Sequence, residues 1–192
     1  MSEVRYTSLT AAEIHGGELS ARLKMPQDCE LSILERCISE VRAAASPKAC
    51  AAEVEVSVSG DVVSIGDVTT RSRNLSKNLE GCTRATVMAV TLGVGVDMLL
   101  RRKSVTSPSE HFVCDGVASA LAEAAADEAE RIFLEGGGHR PRFSPGYGDL
   151  SLAIQRDVLS LCDAERLLGI RLTDTLLMIP TKSITAIIGR CD

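Results

Sequence analysis

The stretch that decides the architecture of this chain reads Arg142-Phe143-Ser144-Pro145-Gly146-Tyr147-Gly148-Asp149. Pro145 lacks a backbone donor and has a fixed φ, while Gly146 and Gly148 permit positive φ. The segment therefore cannot continue a helix or lie within a central strand, and we predict a shaped turn. Such a turn would present the guanidinium of Arg142 and the phenol of Tyr147, with spare backbone N–H groups between them.

The chemistry of this turn allows two interpretations. A ligand with a carboxylate and a flat ring would suit it, because arginine binds carboxylates in bidentate fashion. Alternatively, the segment is an ordinary loop that leads into a helix, with Tyr147 packed in the core, since turns rich in Gly and Pro are common. The residues of the turn alone leave both interpretations open.

Three further motifs follow the turn in a fixed order. They are the amphipathic segment Leu150–Leu168, the stretch Leu172-Thr173-Asp174-Thr175-Leu176-Leu177-Met178-Ile179-Pro180, and Ser183-Ile184-Thr185-Ala186. Together with the turn they resemble the C-terminal reactivation domain of cobalamin-dependent methionine synthase. That family carries an Arg-x-x-x-Gly-Tyr turn, a helix ending near Leu-Leu-x-x-Glu, a Leu-Thr-Glu-Ser-x-x-Met-x-Pro strand, and Ser-Val-Ser-Gly. The resemblance covers roughly residues 85–189, and the family's Glu, Ser and Gly are replaced here by Asp174, Thr175 and Ala186.

The resemblance implies a function in a corrinoid methyltransferase system. In that chemistry, occasional oxidation leaves inert cob(II)alamin, a one-electron donor reduces it, and the methyl group of S-adenosylmethionine traps the cob(I) product. The cofactor carries the hard chemistry, while the protein supplies proximity and orientation. The chain would then be a separate reactivation subunit that is not active alone. Its partner would hold the cobalamin, and a flavodoxin or ferredoxin would donate the electron.

The resemblance also implies contacts to S-adenosylmethionine in the turn. Arg142 would anchor the methionine carboxylate, and the backbone around Ser144 and Gly146 would hold the adenosyl end. Tyr147 would face the corrin of the partner. Neither a catalytic residue nor a metal ligand is predicted in this chain.

A further contact is implied on the long helix that precedes the turn. Leu121-Ala122-Glu123-Ala124 matches the family's Ala-Glu-Ala, so Glu123 would lie beside the sulfonium or amino group. Considered without the resemblance, Glu123, Asp127 and Glu130 form a solvated acidic face at i, i+4 and i+7.

Composition excludes several classes of protein. The chain has 192 residues, 45% of them hydrophobic and 24% charged, which is typical of a globular protein large enough for a core. Aromatic residues make up only 3%, so the core must be aliphatic. A net charge of −5 offers no basic surface for nucleic acid or an anionic membrane. Since no stretch resembles a signal peptide or a transmembrane helix, we predict a cytoplasmic protein without nucleic-acid or membrane partners.

Seven cysteines raise the question of a metal site. None forms a Cys-x-x-Cys pair, and the three histidines do not lie at ligand spacing from them. An odd number without framework spacing indicates a reducing compartment. Several fall within helical patterns, where a free cysteine behaves as a small hydrophobe, so we predict structural roles. These are Cys29, Cys37, Cys114 and Cys162.

Hydrophobic periodicity predicts the remaining elements. Helices are predicted at Asp28–Ala45, Asn74–Leu79, Ser107–Leu134 and Leu150–Leu168. Strands are predicted at Val54–Ser59, Val62–Ile65, Thr86–Leu92, Arg171–Met178 and Ser183–Ile188. Ser107 and Glu110 would form a capping box at the start of the long helix, and Asp149 would be the N-cap of the helix after the turn.

These elements predict an α+β protein with a mixed or antiparallel sheet, flanked by the 107–134 and 150–168 helices. We expect one domain over residues 1–192, with a poorly defined N-terminal segment at 1–26 and a Gly-rich loop plus turn at 135–148. Two alternative functions stay open. One is an accessory protein that docks on a cobalamin domain without binding S-adenosylmethionine, and the other is a small-molecule binding protein unrelated to cobalamin.

Overall fold

Alternating and continuous apolar segments form the strands of an antiparallel sheet in the computed structural model. The structure describes residues 3–9, 31–135 and 138–191, with the backbone alone described for residue 191. The strands are β1 Val4–Ser8, β2 Lys48–Ser59, β3 Val62–Ile65, β4 Val68–Arg71, β5 Arg84–Thr91, β6 Gly138–His139, β7 Arg171–Leu172, β8 Met178–Ile179 and β9 Ser183–Cys191. The helices are α1 Leu31–Ala44, α2 Arg73–Asn78, α3 Val94–Thr106, α4 Pro108–Phe133, α5 Gln155–Leu161 and α6 Ala164–Leu168.

The main sheet has seven strands, in the order β4-β3-β2-β5-β9-β6. β1 pairs with the first part of β2, and β3 pairs with its last part, so the long strand β2 carries two neighbours along one edge. At the centre, Met88 of β5 lies between Ala51 of β2 and Ala186 of β9. All of these pairings are antiparallel, which confirms the predicted α+β class.

Helices cover both faces of the sheet, because successive strand residues point to opposite sides. Met88 and Val90 of β5 belong to the apolar cluster that contains α1, α3 and α4. Val87 lies on the other face, in the cluster that holds Leu75 of α2 and Val158 of α5. The buried stripe of α4 is rich in alanine, which lets this helix lie close to the sheet. The core is aliphatic, as composition predicts.

The predicted helix 150–168 is broken into three pieces. A 3-10 turn at Leu152–Ile154 leads into α5, and α6 follows after a reversal at Asp163, whose φ of 54° is left-handed. Aspartate tolerates this conformation better than most residues, because its short polar side chain can hydrogen-bond locally. The break lets Ala164 enter the sheet core beside Cys50. Tertiary packing therefore overrides a helical pattern that looked continuous.

Arg171–Met178 is not one strand, as the sequence predicted, but a small hairpin of β7 and β8. Thr173 closes its turn, since its carbonyl accepts from the Leu176 amide at 3.0 Å and its hydroxyl from the Leu177 amide at 3.0 Å. Leu176 adopts a φ of 64° there. The hairpin stands apart from the main sheet, while β9 enters it between β5 and β6.

The capping box predicted at the start of α4 is wrong. The helix begins at Pro108 as expected, but Ser107 makes no side-chain capping bond. Glu110 instead binds the Lys103 ammonium at 2.6 Å and also contacts Arg36, joining three helices. This pairing, chiefly the hydrogen bond from Lys103, holds the pKa of the Glu110 carboxyl below its ordinary value. Leaving the buried Lys103 without an acidic partner would cost more free energy than leaving the start of α4 without a side-chain cap.

Candidate ligand-binding site

The turn that follows the Gly-rich loop is tied to β9, next to the two-residue edge strand β6. Phe143 exchanges two backbone hydrogen bonds with Ile187 of β9, at 3.0 and 2.9 Å. Gly146 has a φ of 82° and donates its N–H to the Leu150 carbonyl at 3.0 Å, while the Tyr147 N–H binds the Ser144 carbonyl. The sequence predicted spare backbone N–H groups in this turn, and for Gly146 and Tyr147 this prediction is wrong. They close the turn on itself.

Asp149 anchors the same turn to a distant helix. Its carboxylate accepts from the Ser72 hydroxyl and from the backbone N–H groups of Arg73 at 2.8 Å and Asn74 at 3.1 Å. These contacts, that of Ser72 foremost, lower the pKa of the Asp149 carboxyl. The predicted role as N-cap of the following helix is wrong, since Ser151 caps the 3-10 turn there. Asp149 instead accepts hydrogen bonds from backbone N–H groups in the first turn of α2, which have no partners within that helix and attract an anion.

Arg142 lies against the acidic face of α4. Its guanidinium nitrogens are 3.3 Å from Glu123, 2.7 Å from Asp127 and 3.1 Å from Glu130. The three carboxylates are thus gathered around one cation rather than merely solvated. His139 of β6 adds a contact to Glu130 at 3.3 Å. Because three acids surround one arginine, this part of the site carries an excess of negative charge.

Tyr147 is 70% exposed, which excludes the interpretation that packs it in the core. Its ring meets that of Phe143 edge to face, with centroids 5.6 Å apart. Phe143 is itself buried, so the ring of Tyr147 packs against an immobile ring while remaining at the surface of the turn. An exposed aromatic in this position is available to a partner.

A cavity of about 380 Å³ lies beside the turn. Of the residues that the resemblance singles out, Glu123 and Ser144 line it, whereas Arg142, Gly146 and Tyr147 do not. Hydrophobic walls come from Leu152 and from the β7–β8 hairpin. The remaining lining residues include Pro145, Gln155, Met178, Thr181, Ser183, Ile184 and Thr185.

Sequence reasoning missed the polar floor of this cavity. Gln155 donates from Nε2 to the Thr185 hydroxyl at 2.7 Å, and the Ser183 hydroxyl binds that of Thr91 at 2.8 Å. One signal was present: Gln155 precedes Val158 and Leu159 by three and four positions, so a polar residue lies on the apolar face of its helix. No comparable signal marked Thr185, because a threonine between apolar residues is common in a strand.

The loop between the hairpin and β9 is held by α3 and α4. The Thr181 amide and hydroxyl bind the Asp97 carboxylate of α3, at 2.9 and 2.7 Å. The neighbouring Lys182 binds Asp115 of α4 at 2.8 Å. These contacts fix one wall of the cavity to the opposite layer of helices.

The five cysteines whose side chains the structure describes are free and buried: Cys37, Cys50, Cys82, Cys114 and Cys162. Burial raises the pKa of the Cys114 thiol to about 12, so this group stays protonated and unreactive at neutral pH. Within residues 3–9, 31–135 and 138–191, no group of His, Cys, Asp and Glu side chains could hold a metal ion. In the same ranges, no helix is long and apolar enough to cross a membrane. Cys29 lies outside the described residues.

The sheet, its two helical layers and the cavity beside the turn define a class of α+β fold that places a ligand-sized site at the end of a central strand. That fold is the one of the methionine synthase reactivation domain. The crystal structure of the MetH reactivation domain bound to AdoHcy matches 97% of this chain and 78% of that chain, with a TM-score of 0.67 and 15% sequence identity. No protein-family model matches the chain, and none of the curated proteins matches it. The resemblance seen in the sequence is thus confirmed at the level of the fold.

Proposed function

We propose that this chain binds S-adenosylmethionine and serves as a separate reactivation subunit for a cobalamin-dependent methionine synthase or a related corrinoid methyltransferase. The observation that carries the proposal is the cavity beside the Arg142–Asp149 turn, in a fold shared with a domain crystallised with AdoHcy. Its volume of about 380 Å³ falls in the range of roughly 300–1,000 Å³ found for small-molecule sites. AdoHcy is S-adenosylmethionine without its transferable methyl group.

The charges around the cavity suit a cationic ligand with a free carboxylate. Glu123 lines the cavity with its side chain about half exposed, so it can meet the sulfonium or the amino group at the opening. Arg142 would take the methionine carboxylate. To do so it must release some of its three acidic partners, and the exposed Glu123 and Asp127 can turn away at small cost.

The turn and the floor of the cavity would hold the adenosyl end. Ser144 and Pro145 form one wall, and the hydrogen bonds that close the turn keep this wall rigid. Tyr147, exposed beside it, would face the corrin of the partner. The chain therefore orients the methyl donor and offers a docking surface, which is a contribution of proximity.

The chemistry itself belongs to the partner's cofactor. Cobalamin held by the partner would supply the electron pair that accepts the methyl group, once a flavodoxin or ferredoxin had delivered one electron to it. On the side of this chain, the C–S bond of the sulfonium would break with its electron pair left on sulfur, so the positive charge beside Glu123 would be lost. We place this function in the cytoplasm, which keeps thiols reduced, in keeping with five buried free cysteines.

One observation favours an alternative function. Arg142 is already paired with three carboxylates, so its guanidinium is not free to bind a ligand carboxylate. A chain that kept this arrangement would dock on a cobalamin domain through the surface around Tyr147 without binding S-adenosylmethionine. It would then be an accessory binding module.

Calorimetric titration of the purified protein with S-adenosylmethionine separates the two functions. Saturable binding at one site per chain is expected if the chain is a reactivation subunit. Lack of binding to the free protein, combined with complex formation with a cobalamin-loaded partner, would leave the accessory function. Lack of both would leave a small-molecule binding protein unrelated to cobalamin.

A further inference from the structure

A buried carboxamide lies in the wall of the cavity. Gln155, the first residue of α5, is only 3% exposed, yet its side chain lines the cavity. Burying an amide costs free energy unless its donors and acceptor are hydrogen-bonded. The partners of each of its polar atoms therefore indicate what the site is built to hold.

The orientation of this carboxamide is fixed by two neighbours. Nε2 lies 2.7 Å from the Thr185 hydroxyl oxygen and 3.3 Å from the Met178 sulfur. A thioether sulfur only accepts hydrogen bonds, so the group beside Met178 must be the NH₂ and not the carbonyl oxygen. Both N–H groups of Gln155 are thereby used within the protein.

The carboxamide oxygen of Gln155 has no such partner. In residues 3–9, 31–135 and 138–191 its only side-chain hydrogen bonds are those of Nε2. The oxygen is also not among the polar atoms sealed without a partner inside the described protein, so it keeps some accessible surface, and Gln155 lines the cavity. The site therefore presents one oriented carboxamide acceptor, and a ligand that displaces water from this acceptor must supply a hydrogen-bond donor.

We propose that the carboxamide oxygen of Gln155 accepts a hydrogen bond from the 6-amino group of the ligand's adenine, and that Gln155 thereby selects adenine over a 6-oxo purine. The inference rests on the proposed binding of S-adenosylmethionine. Leu152, Leu176 and Met178 line the same cavity and offer apolar surface to a flat ring. Glu123, with half of its side chain exposed, marks the opening, so the cationic end of the ligand lies there and the base lies at Gln155.

The same geometry explains why a 6-oxo purine is rejected. Its exocyclic oxygen is an acceptor and would face the acceptor of Gln155. If the amide turned to present its NH₂, its oxygen would lie against the Met178 sulfur, which cannot donate a hydrogen bond. A buried polar group left without its partner costs about 1–3 kcal/mol, which corresponds to roughly 5- to 150-fold in affinity.

The test compares S-adenosylmethionine with its deaminated counterpart S-inosylmethionine, by calorimetric titration of the full chain. We expect wild type to bind the adenine compound at least about 5-fold more tightly. Gln155→Met keeps the length of the side chain but removes the acceptor, so the ratio should fall to near one through weaker binding of the adenine compound. Ser160→Ala, on the exposed side of the same helix, is the matched control and should keep the wild-type ratio.

A second variant covers the case in which Gln155→Met does not fold. Met178→Leu keeps Gln155 and the apolar wall but removes the sulfur that fixes the orientation of the amide, so binding of the 6-oxo compound should improve and the ratio should narrow. Wild-type binding without preference, or an unchanged preference in both variants, would overturn the role of Gln155 and leave the proposed function intact. If wild type binds neither compound, the proposed function falls and this inference falls with it.

Discussion

At the scale of single residues, the site depends on pairings that cross long stretches of sequence. Arg142 meets Glu123, Asp127 and Glu130 of α4, and Asp149 meets the start of α2. Both ends of the turn are therefore held by charge. The contacts made by Arg142 bear on the proposed ligand binding, whereas those made by Asp149 bear on the stability of the turn.

Replacing Arg142 by Lys tests the ligand contact. Lysine keeps the charge but loses the bidentate fork, so binding of S-adenosylmethionine should weaken by about 1–3 kcal/mol, as measured by calorimetry. Arg101→Lys, on the exposed face of α3, is the control and should bind like wild type. Equal affinities for wild type and Arg142→Lys would remove Arg142 from the site.

Replacing Asp149 by Asn tests the anchor through the dependence of stability on pH. The pKa of Asp149 is lowered in the folded state, so its contribution is present above the ordinary aspartate value of about 3.9 and is lost as the pH falls through the lower folded pKa. Urea unfolding at about pH 7 should therefore show the variant less stable than wild type, with a smaller difference at about pH 3. A difference that does not change with pH would show that the charge of Asp149 contributes nothing.

At the scale of elements, the structure separates local pattern from packing. The turn at Gly146 and the long helix α4 follow directly from their sequences. The division of segment 150–168 into a 3-10 turn, α5 and α6 does not, since it depends on burying Ala164 against the sheet. The turn is therefore the element whose local sequence most directly supports the site.

Replacing Gly146 by Val tests whether the turn is functional. Gly146 has a φ of 82°, and an added Cβ would lie 3.3 Å from Leu152, a wall of the cavity. A β-branched residue in this conformation costs about 1–3 kcal/mol of strain, which the turn can relieve by distorting. We expect this variant to lose much of its S-adenosylmethionine binding and reactivation while its thermal midpoint changes little.

The matched control for the turn is Gly60→Val. Gly60 has a φ of 64° in the β2–β3 hairpin, where an added Cβ meets no heavy atom within 4 Å. It should lose stability through the same backbone strain while binding normally. If Gly146→Val behaves in the same way as Gly60→Val, the turn is structural only.

At the scale of the whole molecule, the proposed function requires a second protein. Helices cover both faces of the sheet, and the described cavity is sized for a small ligand. The exposed Tyr147 beside that cavity is the feature through which a corrin could approach. Methyl transfer should therefore need a complex in which the partner brings its cobalt to the Arg142–Asp149 turn.

The complete reaction tests this requirement. Cob(II)alamin-loaded partner, a low-potential reductant and S-adenosylmethionine are mixed, and the formation of methylcobalamin is followed in the visible spectrum. Conversion should depend on this protein, saturate with its concentration, and fall sharply for Tyr147→Ala. Tyr6→Ala, which alters the half-exposed tyrosine of β1, should leave the rate unchanged. Conversion at the same rate without the protein would sink the reactivation function.

The sequence by itself determined the features that depend on neighbouring residues. Proline and glycine restrict φ and ψ locally, so the turn at 142–149 was predictable, and the periodicity of apolar residues located α1, α4, β5 and β9. The order of the motifs also pointed to the fold that the structure confirms.

Only the tertiary structure decided which side chains meet. Gln155 and Thr185 are 30 positions apart, and Asp149 and Arg73 are 76 apart, so no local pattern could pair them. The segment 150–168 broke at Asp163 because burial of Ala164 against the sheet outweighed local helical propensity. The segment 171–178 became a hairpin whose turn is closed by Thr173. Contacts between distant segments arise from the packing of whole elements, and the candidate site is made almost entirely of such contacts.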